Sequence, residues 1–238
     1  MRIPIRLTSD FICPWCFIGE RHLDHARKLL PTGIDMELHW RPFELNPDMP
    51  PEGMDRRRYR TAKFGTWARS KTLDAHTEAA AAAVGLRFDY ARMRRTPNTR
   101  AAHRLVHLAG HQDRATEVVH AVFDAYFQKG RDIGDLDVLV DLAERSGVDD
   151  ARVVLSGEES IDAIVREEQA AIAQGVHGVP HFDIDGIHLQ GAQPPSTLAD
   201  AITRAAEARS DAPGSSVSAA EESPANSSAS APENSRPR

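Results

Sequence analysis

The chain has two cysteines in 238 residues, and they stand three apart as Cys13-Pro14-Trp15-Cys16. A thiolate on the first sulfur can attack a disulfide, and the second sulfur, one helical turn deeper, can resolve the mixed disulfide. The flanking residues favour that chemistry. Ile3, Ile5 and Leu7 alternate with Arg2, Pro4 and Arg6 as in a strand, whereas Phe17, Ile18, Leu23, Ala26, Leu29 and Leu30 recur at helical spacing. Cys13 then falls at or near the helix N-cap and Pro14 at the first helical position, where its missing N–H costs nothing. Unpaired backbone N–H groups and the positive end of the helix dipole favour a thiolate there. Two other uses of the pair stay open but are weaker. A structural zinc site needs four ligands, and no second pair follows with finger-like spacing, although eleven histidines exist. A structural disulfide closing so short a loop would restrain the unfolded chain very little.

The pair must be held by the elements around it. After the first helix, Pro31-Thr32-Gly33 reads as a turn, and Ile34, Met36, Leu38 and Trp40 alternate with polar residues in a second strand. This makes a β-α-β unit with a right-handed crossover. Pro42 to Pro51 reads as an exit loop. From about Asp55 to Gln174 every periodic segment is helical. One helix is expected over Arg56 to Ser70, an alanine-rich one ending near Gly85, one from Thr99 to Ala109, and one bearing Val118 through Phe127. A further helix is capped by Asp135 and stops at Gly147; a short turn over Ala151 to Leu155 leads to a longer one ended by Gly175. Strands return at His181, where Phe182 and Ile184 face Ile187 and Leu189 across Asp185-Gly186, a hairpin turn of type I′. An amphipathic helix follows Pro194-Pro195. The expectation is an α/β domain in two parts, residues 1–45 and 175–209, interrupted by a helical domain over 46–174. Residues 210–238 hold nine serines, four prolines and a single β-branched aliphatic residue, Val217. Such a segment cannot offset its ordering entropy and is expected to be a disordered tail.

Composition narrows the function. A net charge of −6 gives no electrostatic footprint for nucleic acid. The basic clusters at Arg56-Arg57-Arg58 with Arg60, and at Arg92, Arg94, Arg95 and Arg100, read first as solvated helix faces, with an anion-binding lip near the thiols as the alternative. Nothing approaches transmembrane length, and Met1 leads into a strand without an apolar signal region, so the chain reads as cytoplasmic. A lone close pair of cysteines there fits catalysis better than stabilisation.

A second signal lies far along the chain in Gly175-Val176-His177-Gly178-Val179-Pro180-His181-Phe182. Proline at a strand start donates nothing to a ladder. The residues alone favour an ordinary trans bond at Pro180; a cis bond would leave the Val179 backbone free to pair with a substrate beside the thiols. His177 and His181 bracket that proline as loop or strand-edge residues, with proton donation as the functional alternative. Asp10 either caps the turn before Cys13 or helps move a proton. Asn98 reads as a helix N-cap. His103, His107 and His111 recur every four residues, yet no carboxylate completes a ligand set, so partial burial beside the helical core is the expectation and no metal site is assigned.

In order along the chain, Asp10 through Cys16, Pro97-Asn98-Thr99 with Ala102-His103-Arg104-Leu105, Gly175 through Phe182, and Gly191-Ala192-Gln193 resemble the thioredoxin superfamily. The helical insertion makes the chain DsbA-like, and more narrowly it resembles the FrnE-type branch of DsbA-like oxidoreductases over about residues 3 to 208. The resemblance implies a thioredoxin-like fold interrupted by an all-helical insertion. It also implies Cys13 and Cys16 as catalytic residues, a cis Val179-Pro180 bond, and Trp15, Val179, Pro180 and Asn98 as substrate contacts, with Asp10, Pro14, His177 and His181 tuning the site. No bound cofactor is implied; glutathione is a candidate thiol co-substrate. Partners are protein or small-molecule thiols and disulfides, and the chain is a monomer or homodimer. Kappa-class glutathione transferases and 2-hydroxychromene-2-carboxylate isomerases resemble it in architecture, but they typically carry serine where Cys13 stands and an acid where Ala192-Gln193 runs on from Gly191. A glutathione-dependent transferase or isomerase is therefore the second reading, and a non-catalytic binding or holdase module the third.

Overall fold

The computed structural model describes residues 1–211. Along the chain, β1 (Arg2–Ser9) runs into α1 (Pro14–Arg27), and β2 (Asp35–Pro42) returns parallel to β1. Next come β3 (Met54–Asp55), α2 (Arg56–Phe64), α3 (Trp67–Ala83), β4 (Arg95–Thr96) and α4 (Arg100–Gly110). They are followed by α5 (Ala115–Phe123), a π-helical turn over Asp124–Gln128, α6 (Leu136–Arg145), α7 (Ala151–Ser156) and α8 (Ile161–Ala173). The hairpin β5 (His181–Ile184) and β6 (Ile187–Gln190) leads to α9 (Pro195–Asp211). The tail expected over 210–238 lies outside the described residues, apart from Ser210 and Asp211, which close α9.

The strands on either side of the insertion share one sheet in the order β2-β1-β5-β6, with β5 antiparallel to β1 in the register Leu7 to Phe182. Asp185 and Gly186 both have positive φ, as a type I′ turn requires. The insertion is helical apart from a two-residue ladder between β3 and β4. Local differences from the sequence expectation have simple causes. The helix expected over Arg56 to Ser70 breaks at Gly65, whose φ of 88° ends α2, and the Thr66 side chain accepts from Arg69 N to cap α3. The segment from Val118 to Phe127 is α5 plus the π turn, and the turn expected over Ala151 to Leu155 is one of helix, α7.

Two hydrophobic clusters meet along α1. Leu23 and Ala26 pack with Ile3, Ile5, Leu7, Phe182, Leu198 and Ile202 between the sheet and α9. Cys16, Phe17 and Ile18 belong instead to the core of the insertion. There Phe17 stacks on Phe123 at 5.0 Å and 4°, and Phe11 and Phe88 extend the aromatic group. α4 is fixed from its far side by Arg104. Its buried guanidinium donates to the carbonyls of Val154, Leu155, Gly157 and Glu159 around the end of α7.

One ion pair crosses from α1 to α5. Glu20 is buried, and its Oε1 lies 2.6 Å from Nε2 of His120, in the geometry of a close ion pair. Burial pulls the imidazole pKa down, but the carboxylate charge of Glu20 at 2.6 Å outweighs it, so the pKa is raised above its ordinary value of 6.5. A raised folded-state value means the stabilisation is complete below that ordinary value and is lost as pH rises through the higher one. Urea denaturation at a series of pH values should therefore give a stability that declines on the alkaline side of 6.5. His120→Gln should flatten that decline.

Candidate active site

Cys13 occupies the N-cap of α1 with extended backbone (φ −90°, ψ 111°), and Pro14 takes the first helical position. The Cys13 N–H donates to Asp10 O at 3.1 Å, and the Cys16 N–H donates to Cys13 O at 3.1 Å. A tight turn thus delivers both thiols to the helix start. Neither is bridged, and both are buried, Cys13 at 6 % exposure and Cys16 at none. Burial raises the Cys16 thiol pKa well above its ordinary value, and the hydrogen bond and charge of neighbouring Cys13 raise it further. The Asp10 backbone and the Ser9 hydroxyl, both near that sulfur, pull in the other direction. The inner thiol is therefore the harder one to ionise.

The Val179–Pro180 peptide is cis, and Val179 O lies 3.7 Å from Cys13 Sγ. Gly191 N donates to Pro180 O at 2.8 Å, and His22 on α1 meets Gln193 O at 2.8 Å, so this loop is tied to the hairpin end and to α1. Gly19 allows the approach. A Cβ there would lie 3.0 Å from Pro180 Cγ and 3.3 Å from Phe182 Cζ. Sequence reading passed over Gly19, although a glycine inside a helix, disfavoured by about 1 kcal/mol against alanine, was its signal.

In front of Cys13 lies a cavity of about 240 Å³. Aromatic side chains (Tyr59, Phe64, Tyr90, Tyr126, Phe127) and the cations Arg56, Arg60 and Lys63 line it. The first basic cluster therefore divides: Arg57 and Arg58 are exposed, as on a solvated face, whereas Arg56 and Arg60 line the cavity. Arg56 is buried, with both Asp74 oxygens within 2.9 Å, and Arg60 shares the same carboxylate at 2.6 Å. Two guanidiniums on one carboxylate leave one positive charge over, and the Lys63 ammonium, hydrogen-bonded to Tyr59 and Asn46, adds another. Burial raises the phenol pKa values of Tyr90 and Tyr126, which keeps them neutral.

The other candidate residues fall elsewhere. Trp15 is half-buried and leans on His76 of α3, ring centres 5.5 Å apart. Asn98 spends its amide locally: Oδ1 accepts from Arg100 N at the start of α4, and Nδ2 donates to Met49 O. His177 is exposed, while His181 stacks on His188, and burial and that neighbour lower its pKa. The Asp10 side chain does not cap α1. It is fully buried and accepts from Leu45 N at 2.7 Å through Oδ2, with Oδ1 3.5 Å from His103 Nε2. The histidine stripe divides accordingly: His103 is buried on Asp10, and His107 and His111 meet each other nearer the surface with Nε2 atoms 3.3 Å apart. Among the described residues, Glu20, Asp24 and His120 form the three-residue group within metal-ligand reach, and there Glu20 and His120 already pair with each other.

Comparison with known proteins matches this geometry to one family. A model described as DSBA-like thioredoxin domain matches residues 5–203. A probable DsbA oxidoreductase from Streptomyces coelicolor is 30 % identical, with a TM-score of 0.78 over 86 % of this chain and 90 % of that one. A 2-hydroxychromene-2-carboxylate isomerase shares the fold at 16 % identity and TM-score 0.65, over 87 % and 98 %. So does the cytosolic disulfide reductase DsbM from Pseudomonas aeruginosa, solved with GSH, at 19 % identity and TM-score 0.56 over 87 % and 98 %.

The close contact at Gly19 yields a test. Gly19→Val should lower stability by about 1–3 kcal/mol, the usual cost of overpacking, because it pushes Pro180 and Phe182 away from α1. It should also slow thiol exchange at Cys13 relative to Gly110→Val, a helical position whose Cβ would meet nothing within 4 Å. Thermal melts and stopped-flow thiol assays would read both.

Proposed function

This chain belongs to the family of DSBA-like thioredoxin domains, and from that premise we propose that it is a thiol–disulfide oxidoreductase working through Cys13 and Cys16. The observation that carries the reading is the pair of thiols at the start of α1 with the Val179 carbonyl 3.7 Å from the outer sulfur. Cys13 attacks a substrate disulfide, and the leaving sulfur departs as thiolate. Cys16 then loses its proton and attacks Cys13 Sγ, releasing the second substrate thiol and closing the Cys13–Cys16 disulfide. Val179 and Pro180 receive the substrate backbone alongside Cys13, and Asp10 takes part in the proton movement. Pro14 starts the helix, Trp15 and Asn98 border the substrate path, and His177 and His181 tune the loop around Pro180. The FrnE-type branch is the finer assignment, supported by the ordered motifs from Asp10 to Gln193.

Residues 1–45 and 175–209 form the thioredoxin-like unit in this reading, and residues 46–174 roof the cavity over Cys13. The uncompensated cations of that cavity suit a small anionic thiol. Glutathione is the candidate co-substrate, and the GSH in the DsbM structure is consistent with it. The protein acts in the cytoplasm as a monomer or homodimer, in line with the cytosolic location in the DsbM description. No helix among the described residues is long and apolar enough to cross a membrane.

Two measurements test the function. Cys16→Ala should accumulate mixed disulfides through Cys13 when incubated with oxidised substrates, visible as mass adducts that a reductant removes; finding none would sink the reading. Lys63→Glu should raise KM for glutathione several-fold while leaving that for cysteamine, a cationic thiol, unchanged or lower. Equal KM changes for both thiols would remove the anion preference.

A further inference from the structure

A second cavity lies behind the dithiol. It has a volume of about 520 Å³, and its lining includes Ser9, Phe11, His103, His107 and Glu167. Ser9 is the link to the chemistry: it is buried, lines this cavity, and its hydroxyl stands near enough to the buried Cys16 sulfur to pull that thiol's pKa down. His103 is buried at 6 % exposure under the Phe11 ring, 4.9 Å away. Its Nε2 and the Oδ1 of fully buried Asp10 lie 3.5 Å apart, and neither atom has a hydrogen-bond partner. A buried polar atom left unpaired is costly. A proton arriving between these two would satisfy both at once.

The surrounding charges favour holding such a proton. Asp10 precedes α1, Glu44 follows β2, Glu168 comes from α8, and Arg100 pairs with Glu44 at 2.8 Å. Glu44 N donates to Glu168 Oε1 at 2.8 Å. On the cavity side stand His107 and Glu167, 3.5 Å apart. Three buried carboxylates therefore face one guanidinium and one imidazole. Burial raises the Glu168 pKa, against the hydrogen bond from Glu44 N, which lowers it.

We propose that His103, paired with Asp10, is the relay group that takes up the Cys16 proton during resolution, received by way of Ser9 and the rear cavity. The proposal rests on the redox reading of the dithiol. The step balances as follows. The Cys16 thiol gives its proton to the His103–Asp10 pair, and its electron pair forms the bond to Cys13 Sγ. The bond from Cys13 to substrate breaks, and the substrate leaves as thiolate and takes a proton from solvent. Enzyme dithiol is oxidised by two electrons, and substrate disulfide is reduced by two. Substrate thus enters at Cys13 through the front cavity while the proton leaves Cys16 through the rear one. His103 touches no reacting sulfur, so it is a positioning residue.

Reduced full-length protein reacting with 5,5′-dithiobis(2-nitrobenzoate) separates the two halves of the reaction. The first thionitrobenzoate released reports attack by Cys13, and the second reports resolution by Cys16. His103→Gln should slow the second release by about 100-fold, the lower end of the range for positioned acid–base groups, and leave the first within about twofold. Imidazole added to His103→Ala should restore the second phase, since the cavity is large enough to admit it, and Ser9→Ala should slow that phase alone. Equal slowing of both phases, an unchanged second phase, or failure of imidazole to rescue a variant with wild-type circular dichroism would overturn the relay. Absence of a second release in the wild type would instead defeat the redox reading, and the relay with it.

Discussion

The first helix is shared by two hydrophobic cores, and everything at its N-terminus depends on that. Its later turns are anchored by Leu23 and Ala26 between sheet and α9, and its first turns by Phe17 in the aromatic group of the insertion. A helix held only by the sheet would leave Cys16 in water, where it would be one more ordinary thiol. Held by both, the inner sulfur is desolvated while the outer one stays at the mouth of a cavity. The asymmetry between attacking and resolving thiols is thus a result of packing.

Desolvation has a second effect. A buried thiol that must ionise requires polar groups nearby, and polar groups within a core require partners of their own. Asp10, Glu44, Glu168, Arg100 and His103 form such a set where the sheet, α4 and α8 converge. On the open side, the cations of α2 are gathered on Asp74 and face the outer thiol. Each thiol therefore has its own electrostatic surroundings, supplied largely by the inserted helices.

Much of this was legible in the chain. The strand, the helix start at Cys13, the parallel return of β2 and the hairpin at Asp185-Gly186 follow from period and turn chemistry, which act over a few residues. What escaped was long-range. Nothing local distinguishes Arg56, buried on Asp74, from a solvated arginine, because Asp74 lies eighteen residues away on another helix. His103 looked like one member of a regular stripe until tertiary packing set it on Asp10 and left His107 and His111 nearer solvent. The residues alone also favoured a trans bond before Pro180, and the family resemblance was needed to expect the cis form that the structure has. Gly19 carried a readable hint, but its reason became visible only with Pro180 lying against it.

His103 and Arg104 are adjacent on α4 and reach in different directions, one toward the β1–α1 turn and the other into the carbonyls that end α7. A guanidinium seated on four carbonyls works as a rotational stop for the helix, so the imidazole's bearing is set from the opposite flank of the molecule. The segment from Val154 to Glu159 consequently acts as an alignment gauge. Lengthening or shortening it by a residue would turn α4 about its own axis and swing the ring off its carboxylate, even though no residue in that segment lines either cavity.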